Sequence, residues 1–195
     1  MQNQATFDWI HPLDQLPSEN KIHIGFLNIR SLNLHLDDLK ANTVLQNLTT
    51  ICLTETHTSL SHEITGYHSF HEKTQHGLAQ YHKESSEEFS LQVSNGNDLQ
   101  LMARLLKTDE NPLLVAVTYR PHSMSKGTFV SLISDFVRTV PKTFTLVLGG
   151  DFNLGPEDEN LQKMCKLYKL NVMINQATHF HGNNLDQILT TDDKA

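Results

Sequence analysis

The sequence predicts an α/β layered domain whose sheets are mixed or antiparallel. Three observations carry that expectation. Apolar runs of strand length recur along the chain, among them Thr50–Thr54, Leu113–Thr118 and Phe144–Leu148, each bounded by polar or turn-forming residues. The segment 126–140 places Phe129, Leu132, Ile133, Phe136 and Val137 on one stripe at helical spacing. Asn95-Gly96-Asn97 between two strand-like segments is a hairpin signal.

Residues 1–20 hold two prolines and little periodicity, and read as an irregular leader or linker to a domain spanning 21–195. Lys21–Asn28 is the first strand. A helix is expected from Leu34 to Leu48, with Leu36, Leu39 and Leu45 inward and Asp37 and Asp38 near its positive end. Thr50–Thr54 is a second strand, ending on Glu55, and residues 58–76 read as loop. Gly77–Tyr81 and Phe89–Val93 are expected strands, and a further one falls within Asp98–Leu106. After the turn Asp109–Pro112 comes the buried strand Leu113–Thr118, then the helix Lys126–Val140, stopped by Pro141. Phe144–Leu148 is a buried strand that stops at Gly149-Gly150, where the backbone is free to turn. A helix from Pro156 to Tyr168 has Leu161, Met164, Cys165 and Tyr168 inward and Glu157, Asp158 and Glu159 at its start. Short extended pieces at Val172–Ile174 and Ala177-Thr178, a turn at Gly182-Asn183-Asn184 and a last strand Leu185–Leu189 complete the chain.

At 195 residues the chain is one domain, long enough to bury a sizeable core. No apolar run approaches the roughly 20 residues of a membrane helix, so no membrane partner is expected. Cys52 and Cys165 each sit among apolar residues and read as free thiols in an intracellular setting, nuclear or cytoplasmic. The net charge of −7 argues against tight, non-specific binding to a phosphate backbone. It leaves room for an enzyme that acts on nucleic acid, because the local field and bound cations decide there. The twelve histidines are scattered, and His57, His62, His68, His71, His76 and His82 lack a zinc-ligand spacing; they read as mostly solvent-facing.

The chemistry lies at strand ends. Asn28, Glu55, Tyr119, and Asp151 with Asn153 each stand at the end of a predicted strand. Strand ends gathered at one sheet edge would bring these groups together. Carboxylates and amides are hard oxygen donors suited to Mg²⁺. One carboxylate can hold the ion while another takes a proton from an attacking water.

The series Leu27-Asn28-Ile29-Arg30-Ser31-Leu32, Leu53-Thr54-Glu55-Thr56, Gly66-Tyr67, Gly77-Leu78-Ala79, Tyr119-Arg120-Pro121, Gly149-Gly150-Asp151-Phe152-Asn153 and Leu185-Asp186-Gln187-Ile188 resembles the endonuclease/exonuclease/phosphatase family. Within it, the series is most similar to the apurinic-endonuclease-like domains of non-LTR retrotransposons and Helitron-type transposons. The resemblance spans Lys21 to Leu189 and rests on seven motifs in order. It implies a two-sheet sandwich flanked by helices, and Mg²⁺- or Mn²⁺-dependent cleavage of phosphodiesters, with DNA as substrate; a monomer is expected. By motif, Glu55 would be the principal metal ligand with Asn28 beside it. Asp151 would activate the water, Asn153 would hold it or a phosphate oxygen, and Tyr119 would contact the scissile phosphate. Arg30 and Thr178 would face the DNA, and Asp186 would orient a catalytic histidine. The family's terminal Ser-Asp-His does not follow Asp186 here, and His179 and His181 precede it. The domain is therefore expected to be incomplete at its C-terminus, and nicking to be weak or absent. A non-catalytic binding domain and another phosphoesterase of the same family are the alternative expectations.

Overall fold

The computed structural model describes residues 22–42, 44–73, 76–86, 88–89, 99–109, 111–174 and 185–192. The leader 1–20, most of the strand expected at Phe89–Val93, the hairpin Asn95–Asn97, Ala177-Thr178 and the turn Gly182–Asn184 lie outside them. Two sheets pack face to face with helices on both outer faces. The first sheet is built from β1 (Ile24–Asn28), β2 (Thr50–Thr54), β3 (Tyr67–Glu72) and β4 (Leu78–Lys83), in the order β1-β2-β4-β3. The second contains β5 (Glu88–Phe89), β6 (Gln100–Leu106), β7 (Leu113–Tyr119), β8 (Thr145–Asp151), β9 (Asn171–Val172) and β10 (Asp186–Thr190), in the order β5-β6-β7-β8-β10-β9. Both sheets are mixed: β1 with β2 and β7 with β8 are parallel, and the other pairs are antiparallel.

The period of two along each strand divides the core into three layers. Along β7, Leu113, Val115, Val117 and Tyr119 face the other sheet; with Met102 and Leu106 of the adjacent β6 they pack against Cys52 and Leu78 of the first sheet. Its alternate residues Leu114 and Ala116 face α2 (Lys126–Thr139) and α3 (Glu159–Tyr168), with Phe129, Ile133, Phe136, Leu161 and Met164. On the other side, Ile51 and Leu53 of β2 pack with Leu32 and Leu39 of α1 (Leu32–Ala41). Both cysteines are buried and free, as their neighbours in sequence suggested. No helix among the described residues is long and apolar enough to cross a membrane.

Several elements depart from the sequence expectation. The first helix begins at Leu32 and stops at Ala41, before a separate 3₁₀ turn at Leu45–Asn47. Asn42 divides them: its side-chain oxygen accepts from the N–H groups of Val44 and Leu45 and caps the second turn. Asp37 and Asp38 thus lie beyond the first turn, where no dipole stabilises them, and Asp38 hydrogen-bonds His35 instead. The supposed loop 58–76 contains β3, an edge strand whose residues are mostly half-buried, so it needs few apolar residues to announce it. The histidines are not mostly solvent-facing either. His57 and His68 are exposed, His62, His71 and His76 are half-buried, and His82 is fully buried.

The glycine pair is not a turn, because β8 runs straight through it to Asp151. Gly149 lets the Phe26 ring of the first sheet approach; a Cβ there would lie 2.7 Å from the ring. Gly150 has φ +135°, and a Cβ would stand 2.0 Å from the Thr118 carbonyl oxygen. The glycines bring the sheets together next to the residue that carries the chemistry.

Candidate active site

The terminal inward-facing position of four strands, the last of β1, β7 and β8 and the first of β10, falls at one edge of the sandwich. On β1, Ile24 and Phe26 belong to the inter-sheet layer and Asn28 is two residues further on. On β8, Val147 and Gly149 lead in the same way to Asp151. Register places Tyr119, Asp151 and Asp186 abreast on β7, β8 and β10. Directly paired residues share a face of the sheet, so all three point toward the first sheet. The Nδ2 of Asn28 donates to Asp151 Oδ2 at 2.9 Å and so bridges the two sheets at the site.

Glu55 follows β2, the neighbour of β1, and its backbone is left-handed with φ 52°. Three main-chain bonds hold the segments after β1 and β2 side by side: Ile29 N–H to Thr54, Ser31 N–H to Glu55 and Leu32 N–H to Thr56. Arg30, Ser31, His57 and Asn153 share the positive φ of Glu55, and outside this rim only Lys169, at the end of α3, does so among the described non-glycine residues. Each such residue costs about 1–3 kcal/mol, and such strain collects where a particular side-chain placement is needed.

Asp151 is buried to 8% exposure. Burial pushes its carboxyl above the ordinary aspartate value, and the Glu55 charge adds to this. The Asn153 N–H, the Asn28 amide and the His122 imidazole oppose the rise without cancelling it. Asn153 N–H donates to Oδ1 at 2.9 Å, so each carboxylate oxygen has one donor and keeps capacity for another. Tyr119 is pushed well above the usual phenol range, first by burial and then by the Glu55 and Asp151 carboxylates. It stays a neutral phenol, able to donate. The Asn153 amide reaches the Tyr119 hydroxyl and also donates to the Arg120 carbonyl at 2.8 Å.

Arg120, which the sequence offered only as part of a motif, is a positioning residue. Its Nε, Nη1 and Nη2 donate to the carbonyls of Phe152, Met124 and Asn153 at 2.7, 2.6 and 2.5 Å. These bonds fix the turn that carries Asn153 next to Asp151. Arg30 is exposed, and its N–H donates to Asn28 Oδ1 at 3.2 Å, which places it at the rim. Thr178, His179 and His181 lie outside the described residues.

The site therefore brings together Asn28, Glu55, Tyr119, Asp151, Asn153 and Asp186 from two sheets. Sequence reasoning overlooked His57 and His76, whose ring nitrogens lie within 4.8 Å of each other and of a Glu55 carboxylate oxygen. The available signal was that His57 follows Glu55 by two residues and His76 stands just before β4, the antiparallel neighbour of β2. A divalent cation fits the donor set. Oxygen donors converge there, and the carboxylates of Glu55 and Asp151 are close enough for one to raise the other.

No known family model matches the chain, and no curated protein does. Solved structures do match. The endonuclease domain of TRAS1, a telomere-specific non-LTR retrotransposon, is 13% identical with TM-score 0.67, covering 86% of this chain and 83% of that one. An AP endonuclease from Archaeoglobus fulgidus is 17% identical with TM-score 0.64, over 88% and 87%. The human Nocturnin catalytic domain with bound sulfate is 15% identical with TM-score 0.63, over 88% and 82%. The likeness is one of fold, and the chain has the endonuclease/exonuclease/phosphatase fold.

Proposed function

We propose that the chain is a divalent-metal-dependent phosphodiesterase that nicks DNA, a monomeric endonuclease domain of mobile-element origin working inside the cell. One observation carries the reading. Asn28, Tyr119 and Asp151 end three strands, Asp186 begins a fourth that runs the other way, and Glu55 stands one residue beyond a fifth. The seven motifs and the endonucleases among the structural neighbours point the same way.

Glu55 and Asn28 would hold Mg²⁺ or Mn²⁺, which supplies positive charge beside the scissile phosphate when bound. Asp151 accepts the proton of the water whose oxygen attacks phosphorus; the P–O bond on the far side breaks and its oxygen leaves to be protonated by solvent. Its raised proton affinity makes it a better base than an exposed aspartate. Tyr119 donates to a phosphate oxygen and eases the charge that builds there. Asn153, held through the Arg120 carbonyl, keeps the Tyr119 hydroxyl in place. Arg30 meets the DNA backbone at the rim, and Asp186 supplies a second carboxylate beside Asp151.

The test is nicking of supercoiled plasmid by the purified chain with Mg²⁺ or Mn²⁺. Weak nicking, abolished by EDTA and lowered at least about 10²-fold in Asp151→Ala, is the expected result. A folded protein that nicks no DNA under any of these conditions would refute the proposal and leave a binding role.

A further inference from the structure

The oxygen donors assigned above do not use His57 and His76, yet the fold sets both against Glu55. Thr56 N–H donates to the Gly77 carbonyl at 3.2 Å, and His57 N–H to the His76 carbonyl at 2.9 Å. These bonds join the segment after β2 to the one before β4, one residue out of the register that ends with Thr54 opposite Leu78. His57 and His76 are thereby held side by side, with ring centroids 5.6 Å apart. One oxygen of Glu55 and one nitrogen of each imidazole lie within 4.8 Å of one another. The His76 ring also rests on Tyr119, 4.7 Å between centroids, which ties the cluster to the site. His57 is exposed and the other two are half-buried, so an ion has access from solvent.

Two imidazoles and a carboxylate are a poor set for Mg²⁺, which wants oxygen and gives up water reluctantly. They suit a borderline transition metal, and three protein ligands leave the fourth tetrahedral position open. Ligand atoms around a tetrahedral Zn²⁺ stand about 3.3 Å apart, given bonds of about 2.0–2.1 Å. His57 is exposed, which leaves its side chain room to close on the other two. We propose that Glu55, His57 and His76 form a Zn²⁺ site that shares Glu55 with the catalytic set. The proposal deepens the phosphodiesterase reading through that shared carboxylate, but its test does not depend on activity.

The experiment titrates the full chain with Co²⁺, a spectroscopic stand-in, followed by competition with Zn²⁺. His57→Ala, His76→Ala and the exposed His68→Ala are compared, with circular dichroism confirming that each is folded. The visible absorption of four-coordinate Co²⁺ is expected in the native chain and in His68→Ala. In His57→Ala and His76→Ala it should vanish, with Zn²⁺ affinity down by about tenfold or more. Equal affinity in all four proteins, or no tetrahedral spectrum from folded native chain, overturns the site. Mg²⁺-dependent nicking without Zn²⁺ binding sinks this inference alone. Zn²⁺ binding that needs both histidines, in a chain that nicks no DNA, upholds the site and sinks the phosphodiesterase reading instead.

Discussion

Acid should weaken this fold through one buried imidazole. His82 of β4 is fully buried, with Nδ1 2.9 Å from Thr50 Oγ1 and Nε2 3.3 Å from Gln80 Oε1. Gln80 turns its amide nitrogen to the carbonyls of Val115 and Met102 in the second sheet, so its oxygen faces His82. The ring is thus neutral with its proton on Nε2, and Thr50 donates to Nδ1. Burial, with the charges of Arg104 and His68 behind it, lowers the pKa from 6.5 to about 4. The unfolded chain therefore binds the proton first as pH falls, and stability drops from about pH 6.5 downward until the folded ring also titrates near 4. The full effect is about 3 kcal/mol, most of which is gone at pH 4.5. Urea denaturation at pH 7.5 and 4.5, for the native chain and His82→Gln, isolates it. The native chain should lose about 2 kcal/mol more than the variant between the two pH values. Equal losses would refute the neutral-imidazole argument. Because β2 pairs with β4 and leads to Glu55, the same loosening should unseat the site.

Three further outcomes follow from the geometry. Asn28→Ala removes a donor that holds the Asp151 carboxyl down, so the acid limb of the nicking profile should move to higher pH; an unmoved limb would separate Asp151 from the base role. Gly150→Ala drives a Cβ into the Thr118 carbonyl and should lower stability by about 3 kcal/mol or more in urea denaturation; a loss under about 1 kcal/mol would show that β8 can shift there. Arg120→Lys cannot replace three guanidinium bonds to three carbonyls, and should cost about 2–4 kcal/mol with a matching loss of nicking. Native stability in that variant would mean the Asn153 turn is held by other contacts.

The strands and helices with strong apolar patterns were legible in the sequence, because burial dictates residue type there. β2, β7, α2 and the body of β8 stand close to where periodicity placed them. The edge strand β3 was not legible, since a half-buried strand of Tyr, His and Ser lacks the apolar alternation that marks a strand. Asn42 escaped notice for a different reason: a side chain that bonds nearby backbone ends a helix without altering its apolar pattern.

For the site, the sequence by itself determined which polar residues stand at strand ends, and so the chemistry on offer. Only the tertiary structure decided that Asn28 and Asp151, 123 residues apart, meet at 2.9 Å. Pairing register decided that Tyr119, Asp151 and Asp186 share one face, because a slip of one residue would turn a side chain to the helices. The same applies to His57 and His76. Their spacing in the chain carries no ligand signal, and the antiparallel pairing of β2 with β4 brings them together. Local sequence sets what each strand end can do, while long-range pairing, which no local pattern encodes, sets which ends can act together.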